Sequence, residues 1–339
     1  MTKITLPRRP RGRMSAAGIA QYQADRAAFC NAIIEIDRCL DFKVGARGWA
    51  YILEEYGLVK GDFDAAQNLI SECRKTGELP LDIVAEDDAR EAVNLERLDT
   101  TTPDEEALEI VAYIKRAHRN YKPTSFWEFQ DCYVEMLVEK IDLKSLFASI
   151  CAQYHIPLAN GRGNADINSR ARMMRRFARW EREGKQPVLL YAGDHDPAGL
   201  RISDFLLRNL EDLSEAVGWR PNNLIIDRFG LNADFIREHG LTWIDNLETG
   251  SGARLDDPRH PDHRKAYVQT YLAEFGARKV EANALVTRPK AGRELCLAAI
   301  RRYVDTGAAM AAWKAHIDRH QGHVADAVRL LLMNEEGSA

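Results

Sequence analysis

Three acidic positions in the second half of this 339-residue chain have the spacing of metal-assisted chemistry. Glu139 ends the apolar run Tyr133-Val134-Glu135-Met136-Leu137-Val138. About 55 residues later, Asp194-His195-Asp196 follows the apolar run Pro187-Val188-Leu189-Leu190-Tyr191, and Pro197-Ala198-Gly199 then turns the chain. If both runs are strands of one parallel sheet, their carboxyl ends lie where open sheets collect ligands. Three carboxylates converging there repel one another unless a cation sits among them. Hard oxygen donors with open positions suit Mg2+, which keeps several waters and meets phosphate oxygens. A lone D-x-D more often only turns the chain and caps the next helix. The apolar strand before it, the turn after it and the upstream Glu139 favour the metal: the expected ligands are Glu139, Asp194 and Asp196.

A second pair lies on one predicted helix, where a tyrosine taken alone is more often a surface or packing residue. Arg47 and Tyr51 stand four apart on a helix and are therefore neighbours. A phenol with a pKa of about 10 attacks poorly at neutral pH. A guanidinium and a metal-bound phosphate would favour its ionised form and the charge of a pentacoordinate phosphorus. Trp49, Ile52, Leu53 and Tyr56 make one apolar stripe, which predicts Tyr56 in the core and Tyr51 beside Arg47 on the flank.

Charge adds a third signal. The net charge of −4 and isoelectric point near 6.2 hide an uneven distribution. Residues 82–109 carry eleven acids and two bases, and residues 162–185 carry eight bases and three acids. Arginine binds phosphate oxygens in pairs, so Arg162, Arg170, Arg172, Arg175, Arg176 and Arg179 are candidates for gripping a DNA backbone. Lys3, Arg8, Arg9, Arg11 and Arg13 give the first fourteen residues a basic tail. Two further residues are candidate supports of the metal site: His195, between the aspartates, and Glu281, after a short apolar stretch.

These residues need elements to hold them. Helices are expected from Ser15, a good N-cap, to about Leu40, over 44–56, and from Asp62 to Thr76. A short extended segment at 78–84 follows. Three helices and a β element outline a winged helix–turn–helix. Residues 85–106 read as an acidic linker, and a helix runs from Pro103 to about Arg119. Beyond it strands alternate with helices: strands at 133–138, 156–158, 187–191 and 223–227, helices around 143–154, 167–183 and 198–214. That alternation implies βαβ units and a mostly parallel sheet. Residues 246–264 read as a surface loop, and 291–333 as helical. The domains expected are a basic tail (1–14), a winged-helix domain (15–100), a linker and helix (101–130) and an α/β domain with C-terminal helices (131–339).

The order Val138-Glu139-Lys140, then Gly193-Asp194-His195-Asp196-Pro197-Ala198-Gly199, resembles a Toprim domain. The D-x-D-P-x-G form resembles topoisomerase VI A subunits and the related meiotic double-strand-break proteins, which place a winged helix before the Toprim domain. Arg47-Gly48-Trp49-Ala50-Tyr51 is similar to the R-x-x-x-Y segment whose tyrosine cuts DNA in that family. Arg74-Lys75-Thr76-Gly77-Glu78-Leu79-Pro80 and Lys279-Val280-Glu281-Ala282-Asn283-Ala284-Leu285 resemble short phage and mobile-element members, including the Mini-A group. The likeness spans roughly residues 35–300. It implies Mg2+-dependent cleavage of double-stranded DNA by Tyr51, a link to the 5′ end, and a homodimer in which each tyrosine meets the other subunit's Toprim site.

The remaining features bound the reading. No apolar run is long enough for a spanning helix. Six scattered cysteines with no C-x-x-C pair fit a reducing cytoplasm and neither a zinc site nor a disulfide framework. No phosphate-loop motif is present, so either ATP-driven strand passage needs a separate B-type ATPase subunit or the protein works without it. Two alternatives stay open: a Toprim nuclease that uses water and no tyrosine, and a non-catalytic DNA-binding protein of the same fold.

Overall fold

Runs such as Val134–Val138 and Val188–Ala192 are apolar at almost every position, the pattern of strands covered on both faces. In the computed structural model, which describes residues 3–7, 15–85, 96, 98–161, 167–248 and 253–336, both runs are strands buried almost throughout. The strands are β1 (Cys132–Val138), β2 (Leu158–Asn160), β3 (Gln186–Ala192) and β4 (Ile225–Gly230). They form one all-parallel sheet in the order β2-β1-β3-β4. Met136 pairs with Leu158 and Val188 with Ile225, and the register slips between Tyr191 and Ala192.

The helices are α1 (Ala16–Cys39), α2 (Ala46–Glu55), α3 (Phe63–Lys75), α4 (Pro103–Arg116), α5 (Ile141–Gln153), α6 (Ile167–Arg182), α7 (Pro197–Leu200), α8 (Ile202–Glu211), α9 (Ser214–Val217), α10 (Ala233–Glu238), α11 (Ala266–Phe275), α12 (Pro289–Arg301) and α13 (Ala308–Glu336). The Ser15 hydroxyl accepts the Gly18 N–H and starts α1. Thr102 and Glu105 form a capping box with Pro103 at the first position of α4, a start readable in the sequence.

Several boundaries differ from expectation. The segment expected to be extended at 78–84 contains a 3-10 turn, Leu81–Ile83. Pro80 opens that turn, and Trp49 Nε1 donates to the Ile83 carbonyl at 2.8 Å. The helix expected over 198–214 is three pieces, broken at Arg201 and near Asp212. The C-terminal helical stretch is two helices, parted at 302–307.

The chain divides into two units. One comprises Met1–Glu86 with Val134–Arg302, and the other Asp87–Tyr133 with Tyr303–Ala339. The first holds the sheet's core and all the helices that carry candidate residues. In it, α2 packs on α3 and on the 3-10 segment Ala282–Thr287. Residues 48–53 of α2 are therefore all buried. The second unit has its own core. Phe126 stacks edge-on with Trp127 and Trp313, and Trp313 Nε1 donates to the Thr124 carbonyl at 3.2 Å. No described helix is long and apolar enough to cross a membrane.

Candidate active site

The strand order changes direction between β1 and β3: β2 lies outside β1, and β4 outside β3. The loops leaving the two central strands therefore part, and open a crevice at their carboxyl ends. Glu139 leaves β1 there, with its N–H donating to the Ala192 carbonyl at 3.0 Å. Gly193 leaves β3 beside it. A Cβ at Gly193 would lie 2.7 Å from Glu139 Oε2 and 2.6 Å from the Tyr191 hydroxyl, so only glycine lets the carboxylate approach.

Glu139 and Asp194 are held together by one direct bond and one shared partner, and a further bond fixes Asp194. Glu139 Oε2 accepts the Asp194 N–H at 2.9 Å. Lys140 Nζ lies 2.7 Å from Glu139 Oε1 and 2.9 Å from Asp194 Oδ2. Asp194 Oδ1 accepts the Ala282 N–H at 2.7 Å. Burial pushes the Asp194 carboxyl up, and Glu139 adds repulsion against the pull of Lys140. Burial also opposes the charge on Glu139, but Lys140 and the Asp194 N–H hold that carboxyl below its usual range. On Lys140 the two carboxylates outweigh burial and keep the ammonium charged. Asp196 begins α7, its Oδ1 accepting the Gly199 N–H at 2.6 Å with Pro197 at the first helical position. It thus does what a lone D-x-D is expected to do, while its burial raises its pKa.

His195 faces away from this crevice. It is 1% exposed, caged by Trp243, Tyr271 and Phe275 with ring centroids at 5.4, 5.6 and 4.7 Å. Its Nδ1 is 3.1 Å from the Tyr271 hydroxyl. Burial, with Arg228 adding to it, lowers its pKa to about 4 and keeps the ring neutral. Its backbone does the positioning: the His195 N–H donates to the Val280 carbonyl at 2.8 Å, and the Val280 N–H returns at 3.1 Å. This antiparallel bridge delivers the next residue, Glu281, to the edge of the crevice.

Glu281 gathers the second candidate pair. Arg47 Nε donates to its Oε2 at 2.9 Å and Nη2 to its Oε1 at 3.4 Å. The Tyr51 hydroxyl donates to Oε2 at 3.1 Å. Burial opposes the charge on Glu281, but Arg47 holds the carboxyl down. The phase expected on α2 needs correction. Tyr51, expected on a flank, is 0% exposed, and Tyr56, expected in the core, is half-buried at the helix end. A stripe argument supposes one buried face, whereas α2 is covered on two sides. The Tyr51 ring meets Phe63 edge-on at 5.0 Å, and Lys60 Nζ sits 4.2 Å from its centroid. Burial, with Glu281 next, drives the phenol's pKa well above its ordinary value.

Two residues of the site were missed in the sequence. Asp142, 0% exposed, accepts the backbone N–H groups of Gly45 and Gly48 and the Asn283 side-chain amide, tying the start of α2 to α5. Arg228 donates to the Gly199 carbonyl at 2.8 Å, the Asp194 carbonyl at 3.2 Å and the Leu231 carbonyl at 2.6 Å, bracing the D-x-D turn. Both are charged residues in ordinary sequence: Asp142 meets backbone groups and the Asn283 side chain 141 positions away, and Arg228 meets backbone carbonyls and the Asn232 side chain. An Asp three residues past Glu139 at the start of a helix was the one hint open to a reader of the sequence.

The basic helix is of mixed use. Arg176 grips the buried Glu135 carboxylate through Nε at 2.8 Å and Nη2 at 2.7 Å, and Arg170 Nη1 donates to the Asn209 carbonyl at 2.9 Å. Both arginines thus also serve the fold. Arg172, Arg175 and Arg179 lie on the outer side of the helix, and Arg162 lies outside the described residues.

Among the described residues no cluster of three or more His, Cys, Asp or Glu side chains is drawn together as a ready metal cage. By chemistry the donors fit Mg2+: Glu139 and Asp194 offer hard oxygens that already share one cationic group, with Asp196 two residues on. No protein-family model, no curated protein and no solved structure matches the chain.

Proposed function

We propose that this chain is a Mg2+-dependent DNA-cleaving protein, similar to a topoisomerase VI A subunit, in which Tyr51 attacks a backbone phosphate. The observation that carries the reading is the meeting of the two candidate groups in one unit. Tyr51 and Arg47 bond to Glu281, and the His195–Val280 bridge sets Glu281 beside the turn that bears Asp194 and Asp196.

Glu139, Asp194 and Asp196 would hold the cation, whose part is to offset charge on the phosphate and the leaving oxygen. Tyr51 Oη forms the bond to phosphorus as the phosphorus–O3′ bond breaks, leaving a 5′-phosphotyrosyl link and a free 3′ hydroxyl. Glu281 Oε2 is placed to take the phenol proton, and Arg47 to meet the developing negative charge. The three N-terminal helices α1–α3 would serve as the helix–turn–helix part, and Arg172, Arg175 and Arg179 as a backbone grip. Double-stranded DNA is the implied substrate and a separate B-type ATPase an implied partner; the homodimer that the resemblance implies would pair each tyrosine with the other subunit's acids, whereas here Tyr51 meets Glu281 of its own chain.

A second reading rests on the burial of Tyr51. A ring with no exposed surface, held under Lys60, is first of all a packing residue. In that case water acts in its place, as in a Toprim nuclease. Supercoiled DNA is incubated with protein and Mg2+, and the reaction is stopped with detergent. Protein-linked 5′ ends that vanish in Tyr51→Phe support the tyrosine. Free ends with undiminished cutting in Tyr51→Phe select the nuclease. Asp194→Ala with unchanged function would leave only DNA binding.

A further inference from the structure

We propose that Lys140 is an internal counter-ion that occupies the seat of the divalent cation, so that metal enters only as the ammonium leaves. This rests on the reading of Glu139 and Asp194 as metal ligands.

Each of the two carboxylates commits one oxygen to a backbone N–H: Glu139 Oε2 to Asp194, and Asp194 Oδ1 to Ala282. Those bonds fix the carboxylates' orientation and leave Glu139 Oε1 and Asp194 Oδ2 to face a cation. These two oxygens are the ones Lys140 Nζ holds, at 2.7 and 2.9 Å. A magnesium ion needs oxygens at about 2.1 Å. It cannot share the same pair with an ammonium centred between them, because two positive charges within one contact distance repel strongly at low dielectric. The stem allows departure: Lys140 is a lysine with four methylenes on the residue just before α5, and its side chain is 27% exposed. The site is thus internally neutralised in part while empty, and its affinity for metal is set against the ion pair it must break. Lysine suits this use, being a flexible point charge, where arginine would lock both carboxylates in a planar fork.

The test uses the full chain and Mg2+ alone. Calorimetric titrations compare wild type, Lys140→Met and Asp194→Asn, with circular dichroism to check folding. Lys140→Met should bind Mg2+ about ten-fold tighter or more, since removing a competing charge frees the same two oxygens. Asp194→Asn should lose binding. Equal or weaker affinity in a folded Lys140→Met, with wild type still binding, overturns the counter-ion and spares the metal site. No binding by wild type or Lys140→Met overturns both. A second measurement needs no variant at all. Amine acylation read by mass spectrometry should label Lys140 several-fold faster in Mg2+-saturated wild type than in metal-free protein, with Lys144 as the reference. Unchanged labelling of Lys140 overturns the proposal even if Lys140→Met does not fold.

Discussion

Gly48 has no room for a methyl group. A Cβ there would lie 2.7 Å from Asp142 Oδ2 and 2.6 Å from Val44 Cγ1. Asp142 cannot step aside, because backbone and amide donors from two directions hold its carboxylate. Gly48→Ala must therefore shift α2, at a cost of about 1–3 kcal/mol. Urea denaturation should read that loss, and because Arg47 and Tyr51 ride on the same helix, cleavage should fall with it. His195 gives a pH signature. Its folded pKa is depressed to about 4 from 6.5 by burial and by Arg228, with Tyr271, Trp243 and Phe275 completing its surroundings. A group held neutral by burial is stabilising above its unfolded pKa, so this contribution is full above about pH 6.5 and is lost as pH falls towards 4. Relative to His195→Gln, metal-free wild type should lose the equivalent of about 2–3 kcal/mol in thermal melts over that window, a loss set against the raised Asp194, Asp196 and Asp142 carboxyls, which favour the folded state as pH falls. His195→Gln should flatten the drop; a slope unchanged by the substitution assigns the effect to other groups.

At the scale of the element, α6 separates two uses of one residue type. Arg176 serves a buried acid, and its loss takes two hydrogen bonds from Glu135, whose side chain is 3% exposed. Arg176→Ala is expected to cost about 2 kcal/mol or more, short of the roughly 3–5 kcal/mol for a fully buried pair because the guanidinium is partly wet. Arg175→Ala should leave stability within about 0.5 kcal/mol. On DNA the order reverses. Arg172, Arg175 and Arg179 lie on the outer side, so changing all three to Glu should weaken duplex binding. Its salt dependence should flatten too, by about 0.9 in log–log slope for each phosphate no longer neutralised. The helix and its charge are plain in the sequence, because six arginines between positions 170 and 182 and an apolar spacing of three and four are local facts. Their division is not: the partner of Arg176 is 41 positions back, on a strand. The same limit hid Asp142 and Arg228, whose partners belong to other elements or to the backbone. The D-x-D turn and Glu139 were legible because strand ends announce themselves by the apolar runs before them. The burial of Tyr51 was not, since a helix packed from two sides has no single stripe to read.

At the scale of the whole molecule, the two units interleave along the chain, and each has its own aromatic core. Trp127 and Trp313 belong to the second unit, while Trp49, Trp180, Trp219 and Trp243 belong to the first. Trp313, 8% exposed, carries much of the second core, with Phe126 at 5.7 Å and the Thr124 carbonyl on its indole N–H. Trp313→Ala should cost that unit about 3–5 kcal/mol. The check is fluorescence of a chain in which Trp127 is the reporter of the second unit: its emission should shift to the red at lower urea. The Mg2+ binding proposed for Glu139 and Asp194 in the first unit should stay as it was.

The His195–Val280 bridge has a consequence for what the chain can tolerate. Two reciprocal bonds, at 2.8 and 3.1 Å, staple together residues 85 positions apart. Everything between them, β4 and α7 to α11 included, is one long excursion that leaves the staple and comes back to it. The spacing from Asp194 to Glu281 is then a property of the staple and not of the length of the excursion. Loop closure grows dearer only slowly with length, so segments spliced into the exposed stretch around Arg259 should leave that spacing intact, and relatives of quite different length could keep the same working edge.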